Sequence, residues 1–278
     1  MIISASRRTD IPALYSEWFM HRLREGYVSV TNPFNAAQVK RVSLARADVD
    51  CFVFWTKNPS PMLPFLDEIR EKGYPFFFQF TLTPYGRDVE RNLPDKDALL
   101  QTFAALAAKA QVVWRYDPIL LTDELTVDWH LRQFAAFCER LRPHTERCVL
   151  SFLDMYRGMD KRFHAVTDNE MHALACGLAG IAKRHDLPLY ACAEEIDFTS
   201  YGILPSACID RSLVEAAAGR PIAVKPDKNQ RPACNCLASA DIGAYGTCTN
   251  GCAYCYATKS EKTALRRFQT HNPLSPSL

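Results

Sequence analysis

The sequence predicts an α/β fold of the TIM-like (β/α) barrel type, complete or partial, with a cysteine-rich loop near the C-terminus. Short apolar runs alternate along the chain with helical patterns, which favours a parallel sheet with helices outside it. Glycine-rich phosphate-binding fingerprints are missing, and only 11 of the 278 residues are glycine, which argues against a nucleotide-binding Rossmann domain. A composition of 48% hydrophobic and 23% charged residues excludes disorder and coiled coil as overall descriptions.

The predicted strands are short apolar runs that end in polar clusters. In the first half of the chain they lie at 2–6, 27–31, 39–44, 51–55 and 76–82. Further along the chain they lie at 111–118, 148–153 and 187–192. Seven or eight such strands favour a barrel, complete or nearly so, and a doubly wound open sheet is the alternative.

The predicted helices carry apolar residues at helical spacing between these strands. Such patterns cover 14–23, 62–69, 99–110, 131–141 and 167–181. The second pattern stops at Gly73. The last one begins with Thr167-Asp168-Asn169-Glu170, which fits a capping box. Basic residues after 258 predict a further helix with a charged face.

Domain organisation and location follow from composition and charge. We expect a barrel over 1–225, a cysteine-rich segment over 226–270 packed on the barrel face, and a tail over 271–278. The net charge of +2 disfavours nucleic acid as a partner, and no apolar run approaches the roughly 20 residues that cross a bilayer. The N-terminus lacks the order of a signal peptide, so we expect a cytoplasmic protein whose cysteines are buried thiols or metal ligands.

Polar and charged side chains follow the predicted strands. In a parallel barrel all strand carboxyl ends lie on one face, where active sites form. We therefore predict that the catalytic or substrate-contacting residues are Arg7, Asp10, Lys57, Arg115 and Glu194. Further cofactor contacts are predicted for Asn58, Thr83 and Asp117. Salt bridges of Lys57 and Arg115 with Asp117 or Glu194 are the alternative interpretation of these charges.

Five of the 11 cysteines fall within residues 234–255, namely Cys234, Cys236, Cys248, Cys252 and Cys255. Three ligand chemistries compete for them. A structural zinc ion takes four ligands, usually as two close pairs. An iron–sulfur cluster takes four cysteines, or only three where one iron of a [4Fe–4S] cluster stays open. The spacing C-x3-C-x2-C of the last three cysteines fits the open cluster.

Cys248-x3-Cys252-x2-Cys255, with Tyr254 before the last cysteine, resembles the cluster motif of the radical SAM superfamily. The segments 54–59, 78–83 and 115–119 look like successive strand ends in its spore photoproduct lyase branch. The opening segment 3–10, the Trp-Thr-Lys-Asn-Pro segment, Cys192-Ala193-Glu194 and the cysteine block also resemble domain-of-unknown-function family 1848. The superfamily resemblance implies a [4Fe–4S] cluster, S-adenosylmethionine (SAM) as cofactor with Tyr254 beside it, a flavodoxin or ferredoxin as electron donor and a small-molecule substrate.

The chain departs from the radical SAM pattern in two ways. The cysteine loop follows the last predicted strand instead of the first, which would amount to a circular permutation if the last strand neighbours the first. A Gly-Gly-Glu segment for the methionyl amine is absent from the sequence. Full ligation by four cysteines, for electron transfer or redox sensing without SAM, and a structural zinc module on a barrel of unrelated chemistry therefore stay open.

The remaining cysteines divide into candidates and core residues. Cys234 and Cys236 are predicted either to supply a fourth ligand or to hold a second centre with Cys192 or Cys208. The other interpretation of Cys192 and Cys208 is that of small buried hydrophobes. Core positions are predicted for Cys51, Cys138, Cys148 and Cys176.

Overall fold

The computed structural model describes residues 1–228, 230–231 and 233–278. Ten strands are found there: β1 (Ile2–Ala5), β2 (Tyr27–Asn32), β3 (Asn35–Ser43), β4 (Cys51–Thr56), β5 (Phe76–Thr81), β6 (Val112–Ile119), β7 (Cys148–Phe152), β8 (Leu189–Cys192), β9 (Leu204–Ser206) and β10 (Ser239–Asp241). The helices are α1 (Ile11–Leu14), α2 (Ser16–Glu25), α3 (Leu66–Glu71), α4 (Lys96–Ala107), α5 (Val127–Leu141), α6 (Asp168–Arg184), α7 (Arg211–Ala218) and α8 (Glu261–Gln269).

Eight of these strands form one sheet, in the order β10-β1-β4-β5-β6-β7-β8-β9. Every neighbouring pair is parallel, which confirms the predicted α/β fold. Within the described residues this pairing is open, because it ends at β10 on one side and β9 on the other. The last strand of the chain does neighbour the first, since Ile2, Ile3 and Ser4 pair with Ser239, Ala240 and Asp241.

Both faces of the sheet are buried, as expected of parallel strands. Alternate residues of β4 face opposite sides: Phe52 and Phe54 belong to the apolar core that includes residues of α2 to α6, and Val53 belongs to a second core. Leu213 and Val214 of α7 belong to that second core. The sequence patterns do not predict α7, which packs on the sheet face opposite to α2–α6, the face that a closed barrel would enclose.

Two predicted strands of the barrel form a separate structure. β2 and β3 pair only with each other among the described residues, as an antiparallel ribbon. The reason is local: the strands are joined by a tight turn at Asn32–Asn35, and most of β3 is exposed to solvent. The alternation of strand and helix in the sequence did not distinguish this hairpin from a βα unit.

Three smaller predictions also need correction. The helix expected over 14–23 is split at Tyr15 into α1 and α2. The segment 237–247 contains β10, although its Ser239, Asp241, Gly243 and Gly246 predict a loop between the two groups of cysteines. Cys176 is exposed on α6, whereas Cys51, Cys138 and Cys148 are buried as predicted. The capping box at Thr167 and the helix after 258 are confirmed as the start of α6 and as α8.

The C-terminal part of the chain contributes to the main sheet through β10. The described division into a barrel, a cysteine-rich segment and a tail stays a prediction, and Asn229 and Pro232 of the 226–270 segment lie outside the described residues. None of the helices formed by the described residues is both long and apolar enough to cross a membrane.

Candidate functional site

The cysteine loop 248–255 is positioned by the junction between β10 and the end of β1. The Asp241 carboxylate accepts hydrogen bonds from the Ser4 hydroxyl at 3.0 Å, from the Ser6 hydroxyl at 2.6 Å and from the Arg7 backbone N–H at 2.9 Å. Gly243 then passes so close to Ser6 that a Cβ atom at this position would lie 2.1 Å from the Ser6 hydroxyl oxygen. The loop therefore leaves β10 at the carboxyl ends of the strands.

Asp10 ties this loop to the ends of β1 and β4. One carboxylate oxygen accepts from the backbone N–H of Ala13 at 3.0 Å and caps α1, which begins directly after it. The other accepts from the Lys57 backbone N–H at 2.7 Å and from the Asn250 side-chain amide at 3.0 Å. Burial raises the pKa of Asp10, and these hydrogen bonds oppose the shift.

Glu90 forms a second anchor for the loop. Its carboxylate is almost fully buried and accepts from the Lys57 ammonium at 2.7 Å and the Thr83 hydroxyl at 2.8 Å, as well as from Lys96 and the Tyr254 hydroxyl. The backbone of Glu90 also forms an antiparallel bridge with Cys252. Burial alone would raise the pKa of Glu90, but the charges of the two lysines lower it to about 2.

The three loop cysteines are partly buried and lie near one another. Burial raises the pKa of Cys252 well above its usual value; Lys57 opposes this shift, and Glu90, Cys248 and Cys255 add to it. Burial, with Asp10 nearby, raises the pKa of Cys248 to about 12. Across residues 1–228, 230–231 and 233–278, no group of three or more Cys, His, Asp or Glu side chains stands ready to hold a metal ion.

A second group of predicted residues surrounds Trp55 at the end of β4. The guanidinium of Arg7 lies 4.9 Å from the Trp55 ring centroid, and that of Arg115 lies 5.3 Å from it. Arg115 also pairs with Asp117, whose other oxygen accepts from the Ser151 hydroxyl. The salt bridge between Arg115 and Asp117 was one of the two interpretations of the sequence, and the structure contains it.

Glu194 follows β8 by two residues. Its side chain accepts from the Phe152 backbone N–H at 2.9 Å. Burial raises the pKa of Glu194 to about 7, and the nearby carboxylates of Asp154 and Asp117 add to this shift. The preceding Ala193 has a φ of 58°, in the left-handed region that residues with a side chain rarely adopt.

The cysteines outside the loop form a separate cluster. The Sγ atoms of Cys192 and Cys208 lie 2.7 Å apart, and the Cys236 thiol interacts with those of Cys208 and Cys234. The interaction with Cys236 lowers the pKa of Cys234 to about 7, against the effect of burial. Cys192 and Cys208 are buried, as the sequence suggested, but they contact each other.

The two remaining predicted residues have local roles. The Asn58 side-chain oxygen accepts from the Ser60 backbone N–H at 3.2 Å, and the Asn58 backbone N–H donates to the Thr56 hydroxyl at 3.0 Å. Asn58 therefore shapes the turn after β4. Thr83 supports Glu90. The predicted residues thus form two neighbourhoods: the cysteine loop with Asp10, Lys57, Thr83 and Tyr254, and the Trp55 region with Arg7, Arg115 and Asp117.

Sequence reasoning missed Glu90, Asn250 and Lys96. Glu90 lies in the long segment between β5 and α4, and Lys96 is the first residue of α4. No strand end or motif in this part of the sequence indicates that a charged residue will be buried. Asn250 lies between two cysteines of the motif, and its position alone was the only signal available. Glu90 and Asn250 gain their roles through contacts with residues far away in the chain, and Lys96 gains its role by pairing with Glu90.

A cleft of about 1020 Å³ lies elsewhere. It is lined by Phe76 and Val112 at the amino ends of β5 and β6 and by Arg142 after α5, among others. None of the predicted site residues lines it. Since parallel α/β sheets bind ligands at the carboxyl ends of their strands, we place the candidate site at the cysteine loop.

Among the comparisons with known proteins, a family model alone identifies the family, and none adds an activity. A search of the curated proteins gives no match. Two solved structures resemble the chain distantly. One is an alpha-L-fucosidase structure from Bacteroides thetaiotaomicron, with 9% identity, 81% of this chain and 83% of that chain covered, and a TM-score of 0.29. The other is an amidohydrolase from a Sargasso sea sample, with 12% identity, 99% and 61% covered, and a TM-score of 0.35. Residues 2–257 match the profile of DUF1848, a domain of unknown function, and the chain therefore belongs to the DUF1848 family.

Proposed function

We propose that this protein is an iron–sulfur enzyme of the radical SAM type, in which Cys248, Cys252 and Cys255 hold a [4Fe–4S] cluster. The observation that carries the proposal is the placement of the cysteine loop. It follows β10, which pairs with β1, and it is anchored by Asp10 and Glu90 at the carboxyl ends of the strands. A sheet that closes into a barrel around this face is part of the proposal.

The donor set fits such a cluster in number and chemistry. Three cysteines on one eight-residue loop supply three soft thiolate ligands and leave one iron open. The thiols must turn toward a common point to bind, because they are not assembled around one now. Lys57 lies beside Cys252, and its positive charge favours the thiolate form that metal binding requires.

The cluster, once bound, would supply the reductive cleavage of SAM that starts radical chemistry on a small-molecule substrate. The chain's own residues position the loop and the reactants. Asp10 and Glu90 hold the loop in place: the Asp10 carboxylate accepts from the Asn250 amide, and the Glu90 carboxylate accepts from the Tyr254 hydroxyl. The Arg7–Trp55–Arg115 stack offers cations and an aromatic face to an anionic or planar substrate.

Glu194 is the candidate for proton transfer in this site. With a pKa of about 7, its carboxyl group can gain or lose a proton near neutral pH, which suits a general acid or base. Electrons would come from a small donor protein such as a flavodoxin or ferredoxin. The proposed location of the reaction is the cytoplasm. These assignments rest on the radical SAM resemblance together with the site geometry.

The test is anaerobic purification of the full chain, followed by iron and sulfide analysis and EPR of the reduced protein with and without SAM. We expect a cubane signal that shifts when SAM is added, and we expect SAM-dependent formation of deoxyadenosine under reducing conditions. The C248A/C252A/C255A variant should lose the SAM-sensitive signal. Cys176→Ser, which removes an exposed cysteine on α6, should keep it.

Two results would contradict the proposal and favour the other functions. Cluster signals none of which responds to SAM, in the unaltered protein or in C248A/C252A/C255A, would indicate an electron-transfer or redox-sensing protein with full cysteine ligation. Zinc without iron at the loop cysteines, in protein kept free of oxygen, would indicate a structural zinc module.

A further inference from the structure

Four cysteines from three parts of the chain meet on the sheet face that α7 covers. Cys192 ends β8, Cys208 follows β9 by two residues, and Cys234 and Cys236 precede β10. The chain of contacts runs from Cys192 to Cys208 at 2.7 Å, and then through Cys236 to Cys234. Residues 2 to 44 positions apart in the sequence thus lie in one part of the second core.

The surroundings of these thiols carry positive charge and hydrogen-bond donors. Arg115 donates to the Cys208 sulfur at 3.1 Å, and Arg7 donates to the Cys236 sulfur at 3.5 Å. The Ile209 backbone N–H also donates to Cys236, at 3.4 Å. Donors of this kind stabilise sulfur that carries negative charge and tune metal–thiolate centres. Apolar packing of neutral thiols requires none of them.

Gln79 adds an independent observation. Its side chain is fully buried on β5, and its amide nitrogen donates to the Cys208 backbone carbonyl at 2.7 Å. The amide oxygen has no hydrogen-bond partner among the described residues. A buried acceptor left without a donor is uncommon in folded proteins, and here it lies next to the cysteine cluster.

We propose that Cys192, Cys208, Cys234 and Cys236 bind a metal centre of their own, separate from the cysteine loop. Four thiolates around one zinc ion or one [4Fe–4S] cluster carry a net charge of about −2, which the guanidinium groups of Arg7 and Arg115 balance.

The present separation of Cys192 and Cys208 exceeds the about 2.05 Å of a disulfide and falls short of the about 3.8 Å between two thiolates on one tetrahedral zinc ion. Metal binding therefore requires this pair to open by about 1 Å and the four thiols to turn toward a common point, because they are not assembled around one now.

The experiment measures zinc, iron and acid-labile sulfide per chain in anaerobically purified full-length variants. In C248A/C252A/C255A, where the loop ligands are gone, we expect metal to remain, as about one zinc or about four iron with matching sulfide. The result identifies which of the two centres is present. Adding Cys208→Ala to this variant should remove the remaining metal. Cys138→Ala is the matched control, because it removes a buried core cysteine away from the cluster and should leave the metal content unchanged.

Three results would overturn the inference. The loop variant could be free of metal while the unaltered protein binds it, which would leave only the loop centre. Cys208→Ala could retain as much metal as Cys138→Ala. Mass spectrometry of the anaerobically purified protein could find Cys192 and Cys208 joined by a disulfide, which would assign the short contact to redox chemistry.

Discussion

The interactions that hold the cysteine loop converge on one side chain, that of Glu90. Its carboxylate receives two ammonium groups and two hydroxyl groups while almost fully shielded from water. A buried charge of this kind is stable only with partners in place, and removing one side leaves the other uncompensated. The loop therefore depends on ionisation of this carboxylate.

We predict that Glu90→Gln lowers the free energy of unfolding by about 3 kcal/mol at neutral pH, because Lys57 and Lys96 would face a neutral group. The pKa of Glu90 is lowered to about 2 from an unfolded value near 4.5. The carboxylate thus contributes stability above pH 4.5, which is lost as the pH falls toward 2. Urea denaturation from pH 7 to pH 2.5 should show the two proteins converging at the acid end.

Asp88→Asn is the control for this prediction. Asp88 lies in the same segment, is exposed and pairs with Arg162 at 3.5 Å. Its replacement should change the free energy of unfolding by less than about 1 kcal/mol. An equal loss in both variants would mean that the Glu90 ion pairs carry no special stability.

At the residue scale the sequence predicts those site residues that follow strands. Asp10, Lys57, Arg115 and Glu194 all lie at or near the carboxyl ends of β1, β4, β6 and β8, as the barrel rule anticipates. Glu90 could not be predicted, because nothing local distinguishes a carboxylate that will be buried from one in a solvated loop. Its partners come together only when the chain is folded.

At the scale of elements, β10 is the decisive piece. Three residues are too few to give a recognisable strand pattern, so the sequence does not predict β10. The pairing of β10 with β1 nevertheless places the cysteine loop at the carboxyl ends of the strands. The contact between Gly243 and Ser6 is the tightest point of this junction.

We predict that Gly243→Ala lowers the free energy of unfolding by about 1–3 kcal/mol, since the new methyl group overlaps Ser6 and must push β10 from β1. Amide hydrogen exchange should increase in 239–257 more than in the rest of the sheet. Because this junction positions the cysteine loop, iron binding at the proposed cluster site should decrease in parallel.

The matched control is Gly180→Ala. Gly180 lies within α6 and has open space around it, so alanine should stabilise the helix by roughly 0.5–1 kcal/mol. The two glycine variants are thus expected to shift stability in opposite directions. A neutral Gly243→Ala would mean that the junction can relax without opening the strand pair.

At the scale of the whole molecule, hydrophobic periodicity predicts the parallel α/β sheet but not its exceptions. The hairpin of β2 and β3 and the inward-packed α7 both carry apolar residues at spacings that fit a regular βα unit. What separates them is long-range packing: β3 is exposed, and α7 covers the second face of the sheet. Hydrophobic patterns in the sequence predict which residues are buried. They do not predict which part of the molecule packs against those residues.

The C-terminal segment 271–278, which the sequence predicts to be a tail, accepts hydrogen bonds from α2 and β2 through its backbone carbonyls. Ser275 accepts from the Trp18 indole at 2.9 Å, Leu274 accepts from the buried Arg22 guanidinium at 3.1 Å, and Pro276 accepts from the Ser29 backbone N–H at 2.8 Å. The end of the chain thereby closes over α2 and the start of the hairpin.

We predict that deleting residues 272–278 lowers the free energy of unfolding by about 2–4 kcal/mol, because these three hydrogen bonds are lost and the Arg22 guanidinium keeps fewer partners. Leu274→Ala is the control: its side chain is exposed and its carbonyl remains, so it should cost less than about 0.5 kcal/mol. Urea denaturation of the three proteins measures both effects. If the deletion costs no more than Leu274→Ala, the segment is a tail in energetic terms, and α2 is held by the apolar core alone.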